Sequence, residues 1–102
     1  MTTATRTETS RLLSDEGMDE ASGRLDYVTV LPDSLRSWLA EARPLAERVD
    51  PEFAATVVAN HLLARVLLRY SEINAVLHRS GVEDVYSAAL DIARQYLAET
   101  TA

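Results

Sequence analysis

The chain has 102 residues, a net charge of −6 and no cysteine. That length allows one domain and excludes a disulfide scaffold. The acidic balance disfavours nucleic acid as a partner, because phosphate neutralisation needs a basic face.

Residues 1–24 read as a flexible acidic arm. Thr2, Thr3, Thr5, Thr7, Thr9 and Ser10 precede Asp15, Glu16, Asp19 and Glu20, and two glycines, Gly17 and Gly23, interrupt the rest. Such low hydrophobicity does not repay the entropy of ordering. Leu12-Leu13 is the one apolar spot, a possible helical turn or docking peptide. Met1–Ser10 lacks the apolar core of a secretory signal, and no apolar run approaches the ~20 residues that span a bilayer. The expectation is a cytoplasmic protein with no membrane contact.

The domain proper is expected over 25–102. Its core is small, because a domain of about that size buries only ~60% of its unfolded surface and is marginal alone. Self-association or a protein partner is therefore expected. Leu25-Asp26-Tyr27-Val28-Thr29-Val30-Leu31, bounded by Gly23 and Pro32, has the β-branched and aromatic content of a strand. A second strand to pair with it is not evident, so it pairs with its own copy, augments a partner, or is extended chain on helices.

Asp33–Val49 reads as an amphipathic helix. Leu35, Trp38, Leu39, Ala42, Leu45, Ala46 and Val49 recur at spacings of three and four on one face. Pro44 removes one backbone hydrogen bond and should kink or break that helix. Asp50-Pro51-Glu52 combines a cap, a proline at the first helical position and an acid at the positive end of the dipole. The helix it opens should run to Arg79, about 43 Å at 1.5 Å per residue. Phe53, Val57, Val58, Leu62, Leu63, Val66, Leu67, Leu68, Tyr70, Ile73, Val76 and Leu77 make it apolar on most sides, and two partner helices from the same chain barely suffice to cover it. Ser80-Gly81-Val82-Glu83 then suits a turn and a capping box. The last helix, Val82–Ala98, places Val82, Val85, Tyr86, Ala89, Ile92, Ala93, Tyr96 and Leu97 on one face. The expected fold is all-α: three helices with a long central one, completed as a helical bundle by a second copy.

One polar stripe interrupts the long helix. His61, Arg65, Arg69 and Glu72 lie four, four and three residues apart, hence on one side. Two arginines one turn apart repel unless an anion sits near them, and arginine offers forked donors to a carboxylate or phosphate. The stripe is therefore the candidate binding site. The plainer alternative is a solvated face with Arg69 and Glu72 paired. His61 and His78 are seventeen positions apart, and His61 and Glu72 are about 16 Å apart along one helix. With no His-x3-His or Glu-x2-His spacing, neither a metal nor another cofactor is expected. Nucleophile motifs and phosphate-cradling glycine loops are missing too, so no catalytic residue is assigned. Tyr27, Trp38, Leu63, Leu67 and Tyr70 are the candidate interface residues, since buried aromatics dominate interface energetics.

Tyr27–Arg43, a short strand, Leu31-Pro32 and an amphipathic helix, resembles the opening of a ribbon–helix–helix protein. That family pairs the strand across a twofold axis and reads the major groove with polar or basic side chains. The resemblance implies a dimer and, as one alternative, a DNA-binding regulator or antitoxin. The strand here, Tyr27 to Leu31, has no basic residue, the next helix is far longer than the family's, and the usual tight turn between helices is missing. The leading expectation is a non-enzymatic interaction protein: an adaptor, docking or accessory subunit working through an oligomeric helical surface. A third reading places an enzyme or small-ligand pocket between subunits near His61, Arg65 and Arg69.

Overall fold

A computed structural model describes residues 12–26, 30–72 and 79–101. Those residues form four helices: α1 (Asp15–Asp26), α2 (Pro32–Ala46), α3 (Pro51–Glu72) and α4 (Arg79–Thr101). The all-helical class matches the sequence reading, while the number of helices exceeds it by one. The added helix is α1, and it falls in the stretch expected to be a flexible arm. Residues 1–11 of that stretch lie outside the described residues.

The physical reason is placement rather than average hydropathy. Met18, Ala21 and Leu25 recur three and four residues apart, so one face of α1 collects nearly all its apolar side chains. All three are buried, and so is Leu12 just ahead of the helix. Ser14 supplies the start: its Oγ accepts the Gly17 N–H at 3.0 Å, and its carbonyl accepts the Met18 N–H at 2.9 Å. Asp15 and Glu16 in the first turn and Arg24 in the last complement the helix dipole. Twelve residues are too few to hold a helix alone in water, so α1 exists because it is docked. Glu99 of α4 fixes its entry, accepting the backbone N–H of Leu12 at 2.7 Å and of Leu13 at 3.1 Å. Arg36 of α2 reaches Asp15 at 3.1 Å, and Arg24 reaches Asp91 of α4 at 3.2 Å.

Helix α2 starts on Pro32, which follows an extended Leu31 (φ −95°, ψ 153°). Proline suits this position because its missing N–H would have no partner there. Leu35, Leu39, Ala42 and Ala46 are buried, and Trp38 packs half-buried beside them. The break expected before Pro44 does not occur. The lost bond would have used the Ala40 carbonyl, and Ala40 is exposed, where water can replace it. The helix ends two residues later, with Glu47 N–H on the Arg43 carbonyl at 3.0 Å and Arg48 N–H on the Leu45 carbonyl at 3.2 Å.

Four residues separate α2 from α3, so the two run as an antiparallel hairpin. The Phe53 N–H bonds the Asp50 carbonyl at 2.8 Å as α3 begins. Val58, Ala59, Leu62 and Val66 are its buried face. The helix is described to Glu72; Ile73, Val76, Leu77 and His78 lie outside the described residues. Arg79, expected to end this helix, belongs to α4 instead. Ser80 and Gly81 are helical as well, which corrects the expected turn at Gly81. Val85, Ala89, Ile92, Ala93 and Tyr96 carry the α4 face into the core, as the spacing predicts.

Packing is heaviest between α3 and its two neighbours, α2 and α4. Helix α1 touches α2 and α4 more lightly and has at most marginal contact with α3. It thus closes the groove that α2 and α4 leave open on the side away from α3. Only part of the segment expected to be extended, 25–31, is among the described residues. Leu25 and Asp26 finish α1, Val30 is buried, and Tyr27, Val28 and Thr29 lie outside the described residues. Among the described residues there is no strand.

Candidate functional site

The polar stripe of α3 faces α2, and an acid meets it there. Glu41 Oε1 accepts hydrogen bonds from Arg65 Nε at 3.0 Å and Arg65 Nη2 at 2.8 Å. His61 Nε2 lies 2.9 Å from the same oxygen. One carboxylate thus gathers two side chains that helical spacing alone brought to one side. The hydrogen bond from His61, then that from Arg65, holds the Glu41 carboxyl below its ordinary value of 4.5, with the two positive charges acting in the same direction and partial burial opposing them. Charge-assisted bonds of this kind are among the stronger hydrogen bonds in proteins, though this cluster is solvent-reached: 40% of the Glu41 side chain and 39% of Arg65 stay exposed.

The repulsion expected between Arg65 and Arg69 is resolved within the chain. Arg65 is neutralised by Glu41, and Arg69 pairs with Glu72 at 3.2 Å. Glu41 did not emerge from the sequence because it lies on another helix. The available signal was the hairpin itself: an acid a few residues before a short turn, returned past basic side chains beyond it.

Beside this cluster α2 and α3 enclose an open groove of about 370 Å³. Leu31, Ser34 and Trp38 line it from α2 and the residue before it, and Arg65, Leu68, Arg69 and Glu72 line it from α3. Leu31 is 61% exposed and Leu68 55%, values that place bulky apolar groups in water at the groove's rim. A shallow apolar hollow of about 220 Å³ lies at the other end of the hairpin, between Ala46, Val49, Pro51, Ala54 and Leu97.

The expected interface residues separate into groups. Leu63 and Tyr70 pack partly buried against the chain's own core, and Trp38 sits half-buried at the groove. Leu67 is 40% exposed on the outer side of α3. Tyr27 lies outside the described residues. Among the described residues, no group of three or more His, Cys, Asp or Glu side chains comes together as a metal site, and no helix is long and apolar enough to cross a membrane. No protein-family model, no curated protein and no solved structure matches the chain.

Proposed function

We propose that the chain is a non-enzymatic interaction protein, an adaptor or docking subunit that engages a protein partner through its helical surface. The observation that carries this reading is the α2–α3 groove. Exposed Leu31 and Leu68 and half-buried Trp38 line it together with Arg65 and Arg69. Apolar anchors around an aromatic residue with arginine at the rim are the composition of an interface centre. The matching partner is a segment with apolar side chains and a carboxylate, which the guanidinium groups would take up in competition with Glu41 and Glu72.

The test is native mass spectrometry of complexes purified from the host at endogenous level, with Leu31→Glu alongside the natural chain. Leu31 precedes α2 and is largely exposed, so the substitution spares the core. A heteromeric mass present for the natural chain and lost for Leu31→Glu is the expected result. A heteromer that survives the substitution, or no heteromer with either chain, removes the reading.

The same groove supports a second reading, a small-ligand binder that holds an aromatic or apolar carboxylate between Trp38 and the arginines. Saturable quenching of Trp38 fluorescence by such acids, abolished in Arg69→Ala, would favour it over the first. Self-association belongs to this proposal as well.

A further inference from the structure

A histidine stands directly behind the charged residues of the α2–α3 groove. Arg65 and Arg69 of the groove are balanced by Glu41 and Glu72, so the cluster carries no net charge. Guanidinium groups and carboxylates keep their charges between about pH 5.5 and 8, and the bonds from His61 and Arg65 hold the Glu41 carboxyl below its ordinary value. Histidine is the side chain whose ordinary charge change falls between about pH 5 and 8. His61 lies one turn before Arg65 on α3, its side chain 22% exposed and its Nε2 2.9 Å from Glu41 Oε1. Few other charges surround it. Glu41 meets it from α2, and Arg65 of its own helix is bonded to the same oxygen. Arg43 and Glu47, farther along α2, pair with each other. On α4, the other helix packed heavily on α3, Asp91 pairs with Arg24 and Arg94, and Glu99 is bonded to the entry of α1. Among the described residues no ion pair joins His61 to α4, Glu83 and Asp84 included.

We propose that His61 makes the groove's hold on an anionic partner depend on pH. A proton on its ring turns the balanced cluster into one with a surplus positive charge beside Arg65. The inference rests on the groove reading above and adds its regulation. Geometry supplies the coupling, because Arg65 Nε, Arg65 Nη2 and His61 Nε2 all converge on one oxygen, Glu41 Oε1. With His61 protonated, Glu41 is shared between two cations and no longer balances Arg65 alone. Arg65 is then more available to a carboxylate in the groove. A bound carboxylate favours the protonated ring in return, since linkage between two sites is reciprocal. Affinity for a segment with apolar side chains and a carboxylate therefore rises as the pH falls through the histidine range.

Trp38 lines the groove and is the only tryptophan of the chain, so its fluorescence reads the charge there with no partner present. Quenching by iodide, an anion, is compared with quenching by neutral acrylamide at pH 8 and at pH 5.5, at constant ionic strength. The ratio of the two is expected to rise about 1.3- to 2-fold at the lower pH, the effect of one unit charge acting over roughly 10 Å of water with partial screening. His61→Gln keeps a donor toward Glu41 but cannot titrate, so the rise should vanish. Replacing the other histidine, in His78→Gln, should leave it. Glu41→Gln removes a negative charge and should raise the ratio already at pH 8. Unchanged circular dichroism at 222 nm is the control for the fold of each variant. A ratio equal at the two pH values in the natural chain, or a rise that survives His61→Gln, overturns the inference. Heteromer capture with Leu31→Glu reads the partner and iodide reads the charge alone, so the groove reading and its pH dependence can fail separately.

Discussion

Helix α1 is the element whose role in the fold can be tested most directly, and Met18 is the residue to remove. Its side chain is fully buried, at 0% exposure, on a helix that is itself too short to persist undocked. Met18→Ala deletes a core side chain and leaves a cavity, a change that costs about 2–5 kcal/mol where the surroundings do not collapse. Because α1 packs lightly and its surroundings can shift, the lower half of that range is expected, about 2–3 kcal/mol. Small domains hold only about 5–15 kcal/mol in total, so the loss is a large fraction. It corresponds to a fall in Tm of roughly 8–24 °C for a chain of this size. Urea unfolding followed by circular dichroism at 222 nm measures it, with Leu13→Ala, 41% exposed, as the internal control at under about 0.5 kcal/mol. If α1 unfolds with the rest, the midpoint falls and the slope is unchanged. Equal, small effects of Met18→Ala and Leu13→Ala would refute the docked helix and restore the flexible arm.

Glu99→Gln leaves one carbonyl oxygen where two carboxylate oxygens hold the Leu12 and Leu13 amides. A loss of about 1 kcal/mol is expected, with faster hydrogen exchange at those two amides as the local readout. Gly23 sits inside α1 with open space where a Cβ would be, so Gly23→Ala should stabilise the chain by about 0.5–1 kcal/mol, visible as a raised Tm. Glu41 titrates below its ordinary value in the folded chain, so it contributes stability that is fully present above the unfolded-chain value of 4.5 and is lost as pH falls through the lower folded value. The stability difference between the natural chain and Glu41→Gln should therefore shrink on acidification below 4.5; a difference that persists in strong acid would rule out the ionised carboxylate as its source.

The parts of the fold that sequence reading reached are those where one helix declares its own face. Leu35, Leu39 and Ala42 on α2 and Val85, Ala89, Ile92, Ala93 and Tyr96 on α4 are the buried residues that spacing of three and four selects. Helix α1 escaped because its three apolar residues, Met18, Ala21 and Leu25, are diluted by acids and glycines. Composition averages over a helix, whereas burial depends on one face of it. Gly81 misled in the opposite sense: glycine is permitted at a turn but does not require one, and a helix neighboured by α3 absorbs the cost of about 1 kcal/mol. For the site, the common face of His61, Arg65, Arg69 and Glu72 was legible, and so was the Arg69–Glu72 pair. Glu41 was not, because its meeting with His61 and Arg65 depends on how two helices are rotated against each other, which no local period encodes.

The position of α1 also bears on why the outer face of α3 is as it is. Apolar excess on α3 pointed from the sequence to a need for further neighbours, and a fourth helix is present to meet such a need. It packs elsewhere, over the groove between α2 and α4. The core is therefore closed without covering Phe53, Leu67 or Leu68, which remain 52%, 40% and 55% exposed. Folding places no demand on those positions that a glutamate or arginine would fail to meet, since exposed helix sites tolerate charge and gain solubility from it.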